Sequence, residues 1–195
     1  SGNPFMRTEH PFSLASSPTS LPRLSFIIRV LGDYTAKLSS LKQGQRVYVD
    51  GPYGVFTLNG HSAEGIALIA GGAGIGPILG LLRQLQDLQD ARPIRLIYCN
   101  RNAEQMVFQD EILTAEDSLS DFKQTLVLEQ PSPVMVARPG FISQALLEEQ
   151  FSSEQQGTWL FYVCGPPVMV DAVASSLRKI GVPEHRIVFE RLSFG

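Results

Sequence analysis

Two rhythms divide the chain. From Ile66 onward, short apolar runs alternate with stretches in which apolar residues recur every three or four positions. The runs at 66–70, 94–99, 123–128, 159–164 and 186–190 have the length and composition of buried strands. Helical patterns lie near 75–89, 109–115, 143–150 and 167–180; in the first, Ile78, Leu81, Leu82, Leu85 and Leu88 recur at helical spacing. This alternation predicts an α/β domain: a doubly wound parallel sheet of five strands, covered on both faces. Ligands of such a sheet lie at the carboxyl ends of its strands, where the strand order reverses.

Before Ile66 the rhythm is different. Pro11 and Pro18 exclude a helix at the start, and residues 12–16, 24–30 and 46–49 predict strands. Gly32, Asp33, Tyr34 and Thr35 turn the chain into a short helix ending near Leu41. The polar stretch 59–65 is the best boundary, giving units at 1–58 and 59–195.

Composition narrows the function classes. A hydrophobic content of 44% allows a real core, and a net charge of −3 without a basic block makes nucleic acid an unsuitable partner. Cys99 and Cys164 each end an apolar run, which suggests a reducing compartment rather than a disulfide framework. His10, His61 and His185 are scattered without ligand spacing, so no metal is expected. There is no signal peptide or internal repeat, and the chain opens without Met in polar residues, as a fragment of a longer protein would. Residues 65–82 carry no charge, but six glycines and a proline argue against a membrane span there.

The chemistry concentrates at two expected strand ends. The first reads Gly71-Gly72-Ala73-Gly74-Ile75-Gly76-Pro77 between a strand and a helix. Bare backbone lets a pyrophosphate approach, the helix N-terminus attracts its charge, and Pro77 fits the first turn. The alternative is a glycine bend that lets the helix pack closely on the sheet. The second end reads Cys164-Gly165-Pro166-Pro167. If the strand order reverses between the first and fourth strands, the two ends meet in one crevice.

These pieces, with His10-Pro11-Phe12-Ser13, Arg29 through Thr35, and the ending Phe189-Glu190-Arg191-Leu192-Ser193-Phe194, resemble the ferredoxin–NADP reductase superfamily, and within it the ferric reductase and NADPH oxidase branch. The resemblance implies an electron-transfer module: an antiparallel β-barrel holding FAD and a domain delivering NAD(P)H to it. Residues 1–58 would be part of that barrel, since a whole one needs roughly 100 residues, and the rest would precede Ser1. The fragment would then bind FAD weakly or not at all. The branch also implies a haem-containing transmembrane domain in the same chain, with this region on the cytoplasmic membrane face. The alternatives are a soluble reductase component feeding an iron–sulfur or haem protein, and a non-catalytic nucleotide-sensing module.

The resemblance assigns roles residue by residue. His10, Pro11, Phe12 and Ser13 would run along the FAD, with Ser13 near flavin N5. Arg29, Tyr34 and Thr35 would meet its pyrophosphate. Gly71, Gly72, Gly74, Gly76 and Pro77 would cradle the NAD(P)H pyrophosphate. Cys164 would sit beside the nicotinamide, supplying shape rather than nucleophilic attack, with Gly165 and Pro166 setting the turn after it. Glu190 would pair with a cation or serve a proton path, and Phe194 would stack on the flavin. Arg101 and Arg138 are candidates for the 2′-phosphate of NADPH, whereas Glu129 would favour ribose hydroxyls and NADH. The branch leans to NADPH.

Overall fold

The computed structural model describes residues 10–60 and 62–192. Among them six strands form one sheet: β1 (Ile66–Gly71), β2 (Ile94–Asn100), β3 (Phe122–Leu128), β4 (Arg138–Pro139), β5 (Leu160–Gly165) and β6 (Ile187–Arg191). The order is β4-β3-β2-β1-β5-β6, with every pairing parallel. The chain builds outward from β1 in one direction and then restarts on its other side with β5. The reversal therefore falls between the first strand and the fourth long one, which meets the condition for the two strand ends to share one crevice. β4 is additional to the five expected strands. It is two residues long, and its Pro139 suits an edge position, where a missing N–H leaves no ladder bond unmade.

Alternate residues of β1 feed two cores. Ile66, Leu68 and Ala70 face α2 (Ile75–Asp87) and α3 (Gln109–Ser118). Ala67 and Ile69 face α4 (Gln144–Gln150) and α6 (Pro167–Lys179). All six residues of β1 are buried, which explains its unbroken apolar run. A short helix absent from the sequence expectation, α5 (Ser153–Thr158), opens with a capping box: Ser152 accepts from Gln155 N–H while Gln155 Oε1 accepts from Ser152 N–H.

The expected β structure before residue 58 is largely absent among the described residues. The short helix α1 spans Asp33–Leu38, but the predicted strands at 12–16 and 24–30 meet only in one antiparallel bridge, Leu14 to Phe26, and residues 46–49 form no strand. The physical reason is the lack of partners. A strand gains its hydrogen bonds and its buried face only from neighbours, and here Val47, Tyr48 and Val49 lie exposed.

Candidate functional site

The crevice is built by the tips of β1 and β5. Ala70 pairs in register with Cys164, so the glycine bend and the Cys164-Gly165 turn lie side by side. After Gly71 the chain makes a tight turn, 72–74, and enters α2 at Ile75. The opening amides of this turn–helix start have no intrahelical acceptors, and they carry the positive end of the helix dipole.

Each glycine in the bend does a different job. Gly72 has φ +53°, a left-handed conformation that favours glycine, and a side chain there would meet only Asn100 Oδ1, 3.9 Å away. The others are pressed from behind. A Cβ on Gly74 would lie 2.2 Å from the Cys164 carbonyl oxygen, one on Gly71 2.1 Å from Met169 Sδ, and one on Gly76 3.3 Å from Ile27 Cβ. The stretch therefore combines close packing at 71, 74 and 76 with an open bare backbone at 72. A pyrophosphate could approach the backbone at Gly72, where the nearest side-chain atom to an added Cβ is Asn100 Oδ1 at 3.9 Å. Pro77 lies buried in the first turn of α2.

At β5, Cys164 is fully buried. Burial, reinforced by the nearby Glu190 charge, pushes its thiol well above the ordinary range. A protonated, enclosed thiol is a poor nucleophile, in keeping with a shape-giving role. Cys164 pairs in register with Glu190 of β6. Glu190 in turn accepts a hydrogen bond from the Ser13 hydroxyl. Ser13, Cys164 and Glu190, far apart in sequence, are thus gathered at one end of the sheet. Gly165 presses on Gly71, whose carbonyl oxygen would lie 3.1 Å from an added Cβ, and its own carbonyl accepts from Leu192 N–H at 2.9 Å. Pro166 caps α6, with Pro167 in its first turn.

The aromatic residues assigned to the flavin also converge. The His10 ring stacks on Tyr34 with centroids 3.4 Å apart, and Phe12 lies 6.4 Å from the same ring. Pro11 and Arg29 are exposed nearby in sequence. The Thr35 hydroxyl is committed to the start of α1: it accepts from the Leu31 and Gly32 amides and donates to Gly32 O.

The two arginines proposed for a 2′-phosphate separate. Arg101 is exposed just beyond β2, where its carbonyl accepts from Gln130 N–H, and Glu129 follows β3 beside it. A cleft of about 130 Å³ lies here, lined in part by Asn102, Glu104, Gln130 and Ser132. Arg138 sits on the outermost strand with its guanidinium forked onto Glu149. Phe194 lies outside the described residues.

Sequence reasoning missed two neighbours of the crevice. Asn100 ends β2 and holds its amide by donating to Gln105 O at 2.7 Å, which leaves its oxygen near Gly72. Met169, on the first turn of α6, fills the space beside Gly71 and Gly165 and lies 3.4 Å from the Cys99 sulfur. Nothing in a lone Asn or Met signals such a placement before the strand order is known. Among the described residues there is no cluster able to hold a metal ion, and no helix is long and apolar enough to cross a membrane.

Residues 68–175 match the family model described as the oxidoreductase NAD-binding domain. The chain is 32% identical to the reductase component of propane 2-monooxygenase from Gordonia sp. (strain TY-5), over 97% of this chain and 56% of that protein. It is 30% identical to one component of the Na(+)-translocating NADH-quinone reductase of Psychrobacter arcticus, over 92% of this chain and 47% of that one. The fold superposes on the Amycolatopsis cytochrome P450 reductase GcoB with a TM-score of 0.83 at 24% identity, over 96% of this chain and 57% of that one. The chain spans about half the length of the curated relatives it matches. It belongs to the oxidoreductase NAD-binding domain family.

Proposed function

We propose that this member of the oxidoreductase NAD-binding family is the nucleotide-binding part of a flavin reductase that supplies a separate redox protein. The observation that carries the proposal is the meeting of Ser13, Cys164 and Glu190 beside the glycine bend. When bound, the two cofactors supply the chemistry: a hydride, one proton with two electrons, moves from nicotinamide C4 to FAD N5, and the electrons then leave singly.

The chain's own residues bind and align. The amides of Gly72, Ala73 and Gly74 would receive the dinucleotide pyrophosphate, the Ile75 amide being bonded back to the turn. Cys164 and Met169 shape the floor under the nicotinamide. Ser13 donates to Glu190, which fixes both side chains where a proton can be held near the reacting edge. His10, Pro11, Phe12, Arg29, Tyr34 and Thr35 would form the flavin side, to which the resemblance adds Phe194. Residues 1–58 belong to the flavin unit and 59–195 to the nucleotide unit.

NADH is favoured over NADPH. Arg138 is already paired with Glu149, and Glu129 stands exposed at the end of β3 where a 2′-phosphate would be repelled. A relative named as part of an NADH-quinone reductase points the same way. A separate redox partner is favoured over a haem-bearing domain of the same chain, because the relatives are components of larger reductase and monooxygenase systems. The apolar side chains left exposed before residue 58 would be covered by further barrel strands of the longer protein.

Anaerobic stopped-flow of the flavin-loaded longer protein tests the reading. NADH should reduce the flavin, and Cys164→Ala and Glu190→Gln should slow that step by about a hundredfold while NADH affinity changes little. Nucleotide binding with no flavin reduction would leave a sensing module instead.

A further inference from the structure

Helix α2 does more than present its N-terminus. Its inner side, Ile75, Ile78, Leu79, Leu82 and Leu85, packs on the sheet. A second stripe, Gly76, Gly80, Arg83 and Asp87, is spaced by four, three and four residues and therefore lies on one face. Every member of that stripe meets the segment 14–27. Gly76 backs onto Ile27. A Cβ on Gly80 would lie 3.1 Å from Leu14 O, so only glycine lets that backbone in without a shift. Asp87 accepts from the Thr19 hydroxyl. Arg83 donates through Nη1 to Ala15 O and, at 3.4 Å, to Ser25 Oγ.

We infer that this stripe sets the position of residues 10–13 against the two strand tips, with Arg83 as a positioning residue for flavin reduction; the inference rests on the reductase reading above. The segment that α2 grips runs directly into Ser13, and the helix that grips it begins at the glycine bend. One stiff element thus fixes both sides of the reaction. Arg83 stands eight residues along α2, about 12 Å from its start by the helical rise, so it acts without touching either cofactor. Its guanidinium is held in turn: Nε and Nη2 fork onto Glu111 of α3 at 2.5 and 2.8 Å. That pairing uses one edge of the planar group and leaves Nη1 aimed at Ala15 O. A lysine, a single ammonium on a flexible stem, cannot hold both partners in that geometry. The site is partly enclosed, with 25% of the Arg83 side chain exposed, and Ala15 is fully buried.

The test compares wild type with Arg83→Ala and Arg83→Lys by two measurements. Hydrogen exchange on this chain reads the grip itself: the Ala15 amide, bonded to Ser25 O at 2.8 Å, should exchange faster in both variants while the amides of β1 and β5 keep their protection. Stopped-flow on the flavin-loaded protein reads the consequence. Flavin reduction at saturating NADH should slow by about tenfold in Arg83→Ala, with NADH affinity within about twofold and Arg83→Lys in between. Faster exchange spread equally over β1 and β5 would make Arg83 a general stabiliser and overturn the inference. So would an unchanged reduction rate in both variants. A wild type that binds NADH but reduces no flavin refutes the reductase reading, while the exchange pattern still decides whether Arg83 holds the segment.

Discussion

Residues 62–192 and residues 10–60 have similar access to apolar side chains but use them differently. In the first region every strand is paired and the four inner strands lie between neighbours, while helices cover both faces, so Tyr98, Tyr162, Phe151 and Phe161 are fully buried. In the second, Ala15 is the one hydrophobic residue among those described that is buried, while Tyr48, Tyr53 and Val55 are each more than 80% exposed. The difference lies in partners rather than in composition. A βαβ unit brings its own cover, because the crossover helix lies on the strand it follows. An antiparallel strand relies on a neighbour, which the described residues before 60 do not supply. What order the second region has comes from its contact with the first: the stripe on α2, the Ser13–Glu190 hydrogen bond, and Tyr162 donating to Thr57 O at 2.7 Å.

Matched glycine substitutions break this contrast most sharply. Gly74→Ala drives a methyl group to 2.2 Å from the Cys164 carbonyl oxygen, which only a backbone shift can relieve. It should cost about 3 kcal/mol in urea unfolding, the upper end of the overpacking range. Gly32→Ala, with nothing within 4 Å and an extended φ of −166°, should cost no more than about 0.5 kcal/mol. Equal losses would mean that the two regions share one cooperative core.

The tie between them is a smaller target. Tyr162→Phe removes the hydroxyl that reaches Thr57 and leaves the ring buried against Phe56, 5.4 Å between centroids. A loss of about 1 kcal/mol is expected, together with faster proteolysis confined to the residues before 60. A stability loss with no change in cleavage there would remove Tyr162 from the account.

The last effect is absent at neutral pH and appears only in alkali. Burial, with the Glu129 charge adding to it, pushes the Cys99 thiol from 9.0 up to about 12. The folded chain therefore keeps a proton that the unfolded chain gives up near pH 9. Stability should be level below that value and decline as pH rises toward 12. Cys99→Ala should flatten part of the decline; an unaltered slope would assign it to Cys164 and Tyr162, whose burial acts in the same direction.

The nucleotide unit was legible because its signals are local. The helical spacing from Ile78 to Leu85 and the unbroken run of β1 each reflect which faces are covered, and both lie where the pattern put them. The meeting of the two strand tips followed from strand order, which right-handed crossovers constrain. The strands expected at 24–30 and 46–49 did not form, because β-branched spacing signals a capacity for pairing, and pairing depends on what lies alongside. The sequence placed Ser13 and Glu190 at the flavin without connecting them to each other. Arg83 gave no signal at all, since an Arg on an amphipathic helix usually faces water; its role appears only once Ala15 and Glu111 are known to flank it.

The central claim is that the tips of β1 and β5 together hold one dinucleotide. Amide chemical shifts of the nitrogen-labelled chain, followed during titration with NAD+, test it most directly. The account predicts that Gly72, Ala73, Gly74 and Ile75 shift along with Cys164 and Gly165 on one saturation curve. Shifts confined to a single tip, or absent from both, would contradict it.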